Sequence, residues 1–222
     1  GKIGGGKKGN GKSLFEENYR GLSACMEAGD TRVLVAVIGA LQSPRFALQI
    51  ALFIRKIGRL KAVVTPSPQT SLNFPEISFR EELMGDPPSA PNDDHMLEAC
   101  DHDIVLSQLA FLLRRWKFRI GNDAQTDLFL TQPGEDRISH LLSVCATGTQ
   151  KTVYAAAANL LLRQSGEENC PLAVLILPES AVNQYAQILQ RIHVEVMGYR
   201  MEGERIIFPD LGKIRLDQNS QL

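Results

Sequence analysis

The glycine-rich start of the chain holds the first residues whose types and spacing could do chemistry. Residues 6–13 fit the phosphate-binding pattern G-x-x-x-x-G-K-[ST], in which Lys12 would reach the terminal phosphate and Ser13 would bind Mg²⁺. Such a loop has to follow a hydrophobic strand directly, and residues 1–5 contain three glycines and no apolar run. A nucleotide-binding loop therefore stays an alternative at this position.

A flexible basic arm over residues 1–13 is the simpler interpretation of the same segment. The segment contains six glycines, four lysines and no acidic residue, so it cannot bury an apolar core. Its cations could contact the phosphates of a nucleic acid, which would position the chain without reading bases. The lysines assigned to this contact are Lys7, Lys8 and Lys12.

A second basic segment runs from Arg45 to Lys61 and contains no acidic residue. Its apolar residues have helical spacing, and Ser43 and Pro44 suit the cap and the first turn of a helix. The cations could bind phosphates, which favours a nucleic-acid partner and DNA first, or they could form a solvated helix end. The residues concerned are Arg45, Arg55, Lys56, Arg59 and Lys61.

The spacing of apolar and proline residues divides the chain into regions. Residues 14–64 are predicted to form a small helical unit, in which Thr31–Leu41 is one helix and Asp30 is its N-cap. Residues 65–94 contain six prolines, and six acids against one base, which predicts a linker between domains. Residues 95–210 are predicted to be an α/β domain, and 211–222 a tail.

The α/β domain is predicted to have a mixed sheet with flanking helices. The run Leu172–Leu177 is continuously apolar, which is typical of a strand covered on both faces. The predicted helices are His95–Trp116, Val153–Gln164 and Ser180–Ile192. The other predicted strands are Asp127–Thr131, Ser139–Ala146, His193–Tyr199 and Arg205–Phe208.

Residues of about 95–210 carry a succession of motifs that can be compared with a known family. Asp127 opens a strand, and His140-Leu141-Leu142-Ser143-Val144-Cys145 forms the next strand. Tyr154-Ala155-Ala156-Ala157-Ala158-Asn159-Leu160 follows on a helix, and the apolar strand ends in Pro178 and Glu179. This order resembles the PD-(D/E)XK nuclease superfamily, which implies a restriction-endonuclease-like fold.

The resemblance implies a metal-binding Asp at Asp127 and a Glu-x-Lys pair at Ser143 and Cys145. Serine is a weak ligand for Mg²⁺, and the soft sulfur of cysteine does not suit it. The lysine that would position the attacking water is missing as well. We therefore expect a degenerate site, a weak metal ligand at Asp127, and no cofactor. Mg²⁺ would be needed only if another carboxylate, such as Glu98 or Asp123, completed the site.

Two other groups of polar residues could do chemistry. Cys145, His140 and Asp127 have the types of a nucleophilic site, but an odd offset along one strand places His140 and Cys145 on opposite faces. Asp101-His102-Asp103 has metal-ligand types, yet neighbours on a helix point apart, so a solvated helix face is predicted there.

Composition limits the remaining choices. The net charge is −1 and 44% of the residues are apolar, which is ordinary for a globular protein. No two of the four cysteines lie within ten residues, so the chain contains no CxxC metal or redox site. We therefore predict free buried thiols in the cytoplasm or another reducing compartment. The most apolar stretch, Val33–Val64, is interrupted by Pro44, Arg45 and Arg55, so no membrane span is expected.

These observations favour a nucleic-acid-associated protein on a nuclease-like fold that acts in binding or assembly. Three alternatives stay open: an active Mg²⁺-dependent nuclease, a P-loop nucleotide-binding protein and a protein-interaction module with protein partners.

Overall fold

The structure is a computed structural model that describes residues 15, 19, 21–28, 30–64, 93–123, 126–131 and 137–214. The predicted arm with Lys7, Lys8 and Lys12, most of the predicted linker, and the tail from 215 lie outside the described residues. The chain divides into two compact units, Gly1–Cys100 and Asp101–Leu222.

The first unit contains a β-hairpin where a helix was predicted. Strands β1 (Ser23–Ala28) and β2 (Thr31–Ala36) pair antiparallel, in a register that runs from Ser23↔Ala36 to Ala28↔Thr31. The prediction of a helix over Thr31–Leu41 is therefore wrong, and residues 14–64 are not all helical. The physical reason is that β-branched residues recur at every second position from Thr31 to Val37, which is the period of a strand.

Helix α1 (Phe46–Val64) confirms the second predicted helix of this unit. Ser43 lies before its first turn, where its Oγ accepts hydrogen bonds from the Arg45 N–H at 3.1 Å and from Gln49 Nε2 at 3.2 Å. The buried Gln49 side chain also accepts the Ala40 N–H through Oε1 at 2.8 Å. These bonds tie the preceding loop to the start of α1 and supply partners for polar groups that the fold buries.

The second unit is built on a six-stranded mixed sheet, as the sequence predicts in outline. Its strands lie in the order β3-β4-β5-β6-β7-β8, with β5, β6 and β7 parallel and the other pairs antiparallel. The strands are β3 (Arg119–Gly121), β4 (Leu128–Thr131), β5 (Ile138–Val144), β6 (Leu172–Pro178), β7 (Val194–Glu202) and β8 (Arg205–Ile207). The helices are α2 (Asp93–Arg115), which begins in the first unit, α3 (Gln150–Ser165) and α4 (Glu179–Gln190).

Strand β6 lies in the middle of the core. Residues Ala173–Leu177 are all buried, and β6 has a parallel neighbour on each side. Helices α3 and α4 both contribute to the apolar cluster that covers one face of this strand, through Val153 and Leu160 from α3 and Tyr185 and Leu189 from α4. The two helices therefore lie on the same face of the sheet. None of the described helices has the length and apolarity that crossing a bilayer would need.

Candidate functional site

Asp127 immediately precedes β4, and it lies across from Ser143 on β5 because the next residue, Leu128, pairs with Leu142. The Ser143 hydroxyl donates to Asp127 Oδ2 at 2.9 Å, and the Val144 backbone N–H donates to the same oxygen at 2.7 Å. His102 Nε2, on α2, lies 3.3 Å from that oxygen. Three donors from two elements therefore converge on one carboxylate oxygen.

The pKa of the Asp127 carboxyl results from opposing effects. Burial alone would raise this pKa, because it disfavours the charged form. The neighbouring His102 and the hydrogen bonds from Val144 and Ser143 act in the other direction, and together they hold the pKa of Asp127 below its ordinary value of 3.8. The surroundings of Asp127 therefore stabilise the carboxylate form.

This lowered pKa predicts a loss of stability in acid. A carboxyl with a folded-state pKa below its unfolded value contributes stability above pH 3.8, and the contribution disappears as the pH falls through the lower, folded-state pKa. We expect the free energy of unfolding of the wild type to fall below pH 3.8, as measured by urea unfolding at a series of pH values. Asp127→Asn has no charge to lose and should show a shallower decline, whereas parallel curves would contradict the assignment.

Ser143, Asp127 and His102 have the residue types of a hydrolytic triad but not its connectivity. In a triad the histidine lies between the serine and the acid, so that it can remove the serine proton. Here Asp127 lies between the other two, and the Ser143 proton points to a carboxylate. A carboxylate with a lowered pKa is a poor base at neutral pH, so this arrangement fixes side chains and does not activate a nucleophile.

His102 belongs to this cluster, and the sequence did not predict it there. A solvated helix face was predicted for Asp101-His102-Asp103, and that prediction is wrong for His102 because its ring contacts Asp127. A signal was present in the helix period: Val105, Leu109 and Leu113 are fully buried, and His102 precedes Val105 by three residues on the same stripe.

Cys145 lies two residues beyond Ser143, in different surroundings. Its side chain is buried in the apolar cluster with Leu141 and Val153, and its Sγ donates to the Thr152 carbonyl at 3.7 Å. The hydroxyl of Tyr199 donates to the Cys145 and Ala146 carbonyls at 3.3 and 3.1 Å. The structure thus brings Asp127 together with Ser143 and packs Cys145 against the start of α3. His140 is absent from this cluster, in agreement with the predicted opposite face.

The other carboxylates predicted as possible partners of Asp127 have different surroundings. Asp123 accepts the Thr126 N–H at 2.9 Å and pairs with Arg163 at 3.1 Å, and Arg163 also pairs with Glu167. Glu98 belongs to the first unit. Among the described residues, no three His, Cys, Asp or Glu side chains form a group that could hold a metal ion.

The chemistry of the donors around Asp127 does not fit Mg²⁺. This ion prefers carboxylate and other oxygen ligands, whereas Oδ2 already receives two hydrogen-bonded protons and faces an imidazole. The Ser143 hydroxyl, which stands at the predicted glutamate position, donates its proton to Asp127. Asp127 Oδ2 and the Ser143 hydroxyl would have to give up these contacts before they could ligate the ion.

The predicted nucleic-acid contacts in the first unit are only partly described. Arg55 is exposed on α1, and Arg45 and Lys56 are half-buried. Arg59 and Lys61 belong to α1, but their side chains lie outside the described part of the chain. Among the cysteines whose side chains are described, Cys100 and Cys145 are buried thiols without a disulfide, as predicted; Cys170 also forms no disulfide but is exposed, so the prediction of burial is wrong for it.

No protein-family model matches this chain, and neither a curated protein nor a solved structure matches it. The geometry around Asp127 and the distribution of charge are therefore the observations on which a function can be argued.

Proposed function

We propose that this chain binds nucleic acid through a nuclease-like fold whose catalytic site has become structural. The observation that carries the proposal is the convergence of His102, Ser143 and Val144 on Asp127 Oδ2. A metal-dependent nuclease needs the lone pairs of this carboxylate for its ion. In this chain Asp127 Oδ2, just before β4, is contacted instead by His102 of α2 and by Ser143 and Val144 of β5.

The order of elements supports the nuclease-like part of the proposal. Helix α2 comes before a strand that Asp127 opens, β5 carries Ser143, and α3 and the apolar strand β6 follow. This is the succession that the resemblance to the PD-(D/E)XK superfamily implies. The intervening strand β3 adds one short antiparallel strand at the sheet edge.

The charge distribution supports the binding part. From Thr31 to Pro75 the chain contains no acidic residue, and the cations of α1 fall within this stretch. A protein with a net charge of −1 attracts polyanions only through such local concentrations of positive charge. Affinity that arises this way comes largely from counterion release and falls steeply as salt rises.

The test measures binding and cleavage on the same samples. We expect the full chain to bind a labelled DNA oligonucleotide with an affinity that falls with salt, and to leave the DNA uncut in the presence of Mg²⁺. Replacing Lys7, Lys8 and Lys12 together with Gln should reduce the slope of log affinity against log salt by about 2 to 3, at about 0.7 to 0.9 for each phosphate contact.

Three outcomes would contradict the proposal. Cleavage that needs Mg²⁺ and disappears in Asp127→Asn would identify an active nuclease. Tight ATP binding that disappears in Lys12→Ala would identify a P-loop protein. Failure to bind any DNA or RNA at low salt would leave the protein-interaction alternative.

A further inference from the structure

The end of α2 and the start of β3 carry a second concentration of cations, in the second unit. No acidic residue occurs from Ile104 to Asn122. Six residues at this place combine positive charge with aromatic rings, and all are exposed except Trp116, which is half-buried. This basic-aromatic patch consists of Phe111, Arg114, Arg115, Trp116, Lys117 and Arg119.

Lys117 has a backbone conformation that lysine rarely adopts. Its φ is 66°, in the left-handed region that favours glycine. The Phe118 N–H bonds to the Leu113 carbonyl at 3.2 Å and the Lys117 N–H to the Arg114 carbonyl at 2.9 Å, which is the Schellman ending of a helix. Glycine is the usual residue at the position of Lys117 in this motif, so the lysine is present at a conformational cost.

Structural roles account for only part of the patch. Arg114 and Arg115 lie in the last turn of α2, where cations offset the helix dipole. Arg119 lies on a strand at the edge of the sheet, where charge discourages pairing with another chain. Neither role explains a lysine in a left-handed conformation.

The aromatic residues add a second, independent feature. The ring of Phe111 is 47% exposed and lies three and four residues before Arg114 and Arg115, so these side chains share one face of α2. Proteins that bind single-stranded nucleic acids combine exposed aromatic rings with cations, because bases stack on the rings and phosphates pair with the cations. A duplex keeps its bases stacked on each other and would leave such a ring without a partner.

We infer that the basic-aromatic patch is a binding surface for single-stranded nucleic acid. Arg114, Arg115, Lys117 and Arg119 contact phosphates, and Trp116 and Phe111 stack on bases. The inference rests on the proposed function and deepens it, since it adds a surface in the second unit to the cations predicted in the first.

Trp116 is the only tryptophan of the chain, so its fluorescence reports on the patch without any substitution. Titration of the full chain with oligothymidylate should quench the emission, and the quenching should saturate together with binding measured by anisotropy of a labelled oligonucleotide. Heparin, a polyanion without bases, should bind and leave the emission unchanged. Binding of oligothymidylate without quenching would overturn the stacking role of Trp116.

Lys117→Gly distinguishes a loss of binding from a loss of folding, because it should weaken binding without lowering stability. Glycine suits a φ of 66°, so the melting temperature should stay the same or rise. Loss of one phosphate contact should reduce the salt slope by about 0.7 and the affinity at about 0.1 M salt by about five-fold. Lys151→Gln removes an exposed lysine outside the patch and serves as the matched control, with an unchanged slope expected.

The outcomes distinguish this inference from the proposed function. Equal salt slopes for wild type, Lys117→Gly and Lys151→Gln, with oligothymidylate still bound, would overturn the patch alone. Absence of binding to any single-stranded or duplex oligonucleotide would overturn both. A reduced slope in Lys117→Gly alone, together with quenching of Trp116, supports the patch.

Discussion

Asp127→Asn is expected to lower the free energy of unfolding by about 2–4 kcal/mol. The substitution removes the charge that faces His102, and the charge-assisted hydrogen bonds from Ser143 and Val144 become weaker bonds to a neutral amide oxygen. These groups belong to different elements, α2 and β5, so their loss loosens contacts that are distant in sequence. Urea unfolding at neutral pH, followed by circular dichroism, measures the change.

Two control variants make this measurement decisive. Asp210→Asn disrupts an ion pair whose Asp210 and Lys213 side chains are 42% and 69% exposed, and should cost less than about 1 kcal/mol. Ser143→Ala removes one of the three donors and should cost about 1 kcal/mol. Unchanged or increased stability in Asp127→Asn would indicate that the carboxylate is kept for function at the expense of stability, as in an active site.

Cys145→Lys is expected to destabilise the second unit by about 3 kcal/mol or more. Cys145 is 5% exposed and packs with Leu141, Leu175 and Leu177, so a lysine there must bury its ammonium or displace α3. The measurement is the unfolding midpoint in urea, together with the yield of folded protein.

The same substitution at an exposed cysteine is the control. Cys170→Lys introduces the same charge and length at the surface, and should change the free energy of unfolding by less than about 0.5 kcal/mol. A lysine tolerated at both positions would mean that residue 145 can reach solvent. That result would contradict the burial of Cys145 against α3 and would show that position 145 has room for the lysine of a Glu-x-Lys pair.

Elements with a strong local pattern could be predicted from the sequence, and those that depend on distant partners could not. The continuously apolar run Leu172–Leu177 predicts the buried strand β6. Strand β3 has only three residues, and its pairing with β4 is the only thing that makes it a strand. The apolar run of the hairpin is long enough to suggest a helix, but its β-branched residues alternate with the period of a strand.

The candidate site, too, is predictable only where a local pattern specifies it. Alternation along β5 correctly places Ser143 and Cys145 on one face, but it does not say what covers that face at each position. Near Ser143 the neighbour is the start of β4, and near Cys145 it is the first turn of α3, as the contact with Thr152 shows. His102 reaches Asp127 from a helix 25 positions earlier in the chain, a proximity that no local spacing encodes.

The strand order of the sheet has a consequence for how the protein folds. Each strand from β3 to β8 lies beside the strand that precedes or follows it along the chain, so no pairing has to wait for a remote segment. Short closures cost little chain entropy, and folding rates rise as contacting residues come closer in sequence. The second unit can therefore assemble progressively during synthesis, from the β3–β4 hairpin towards β8. Each new strand then pairs with a strand that has already formed.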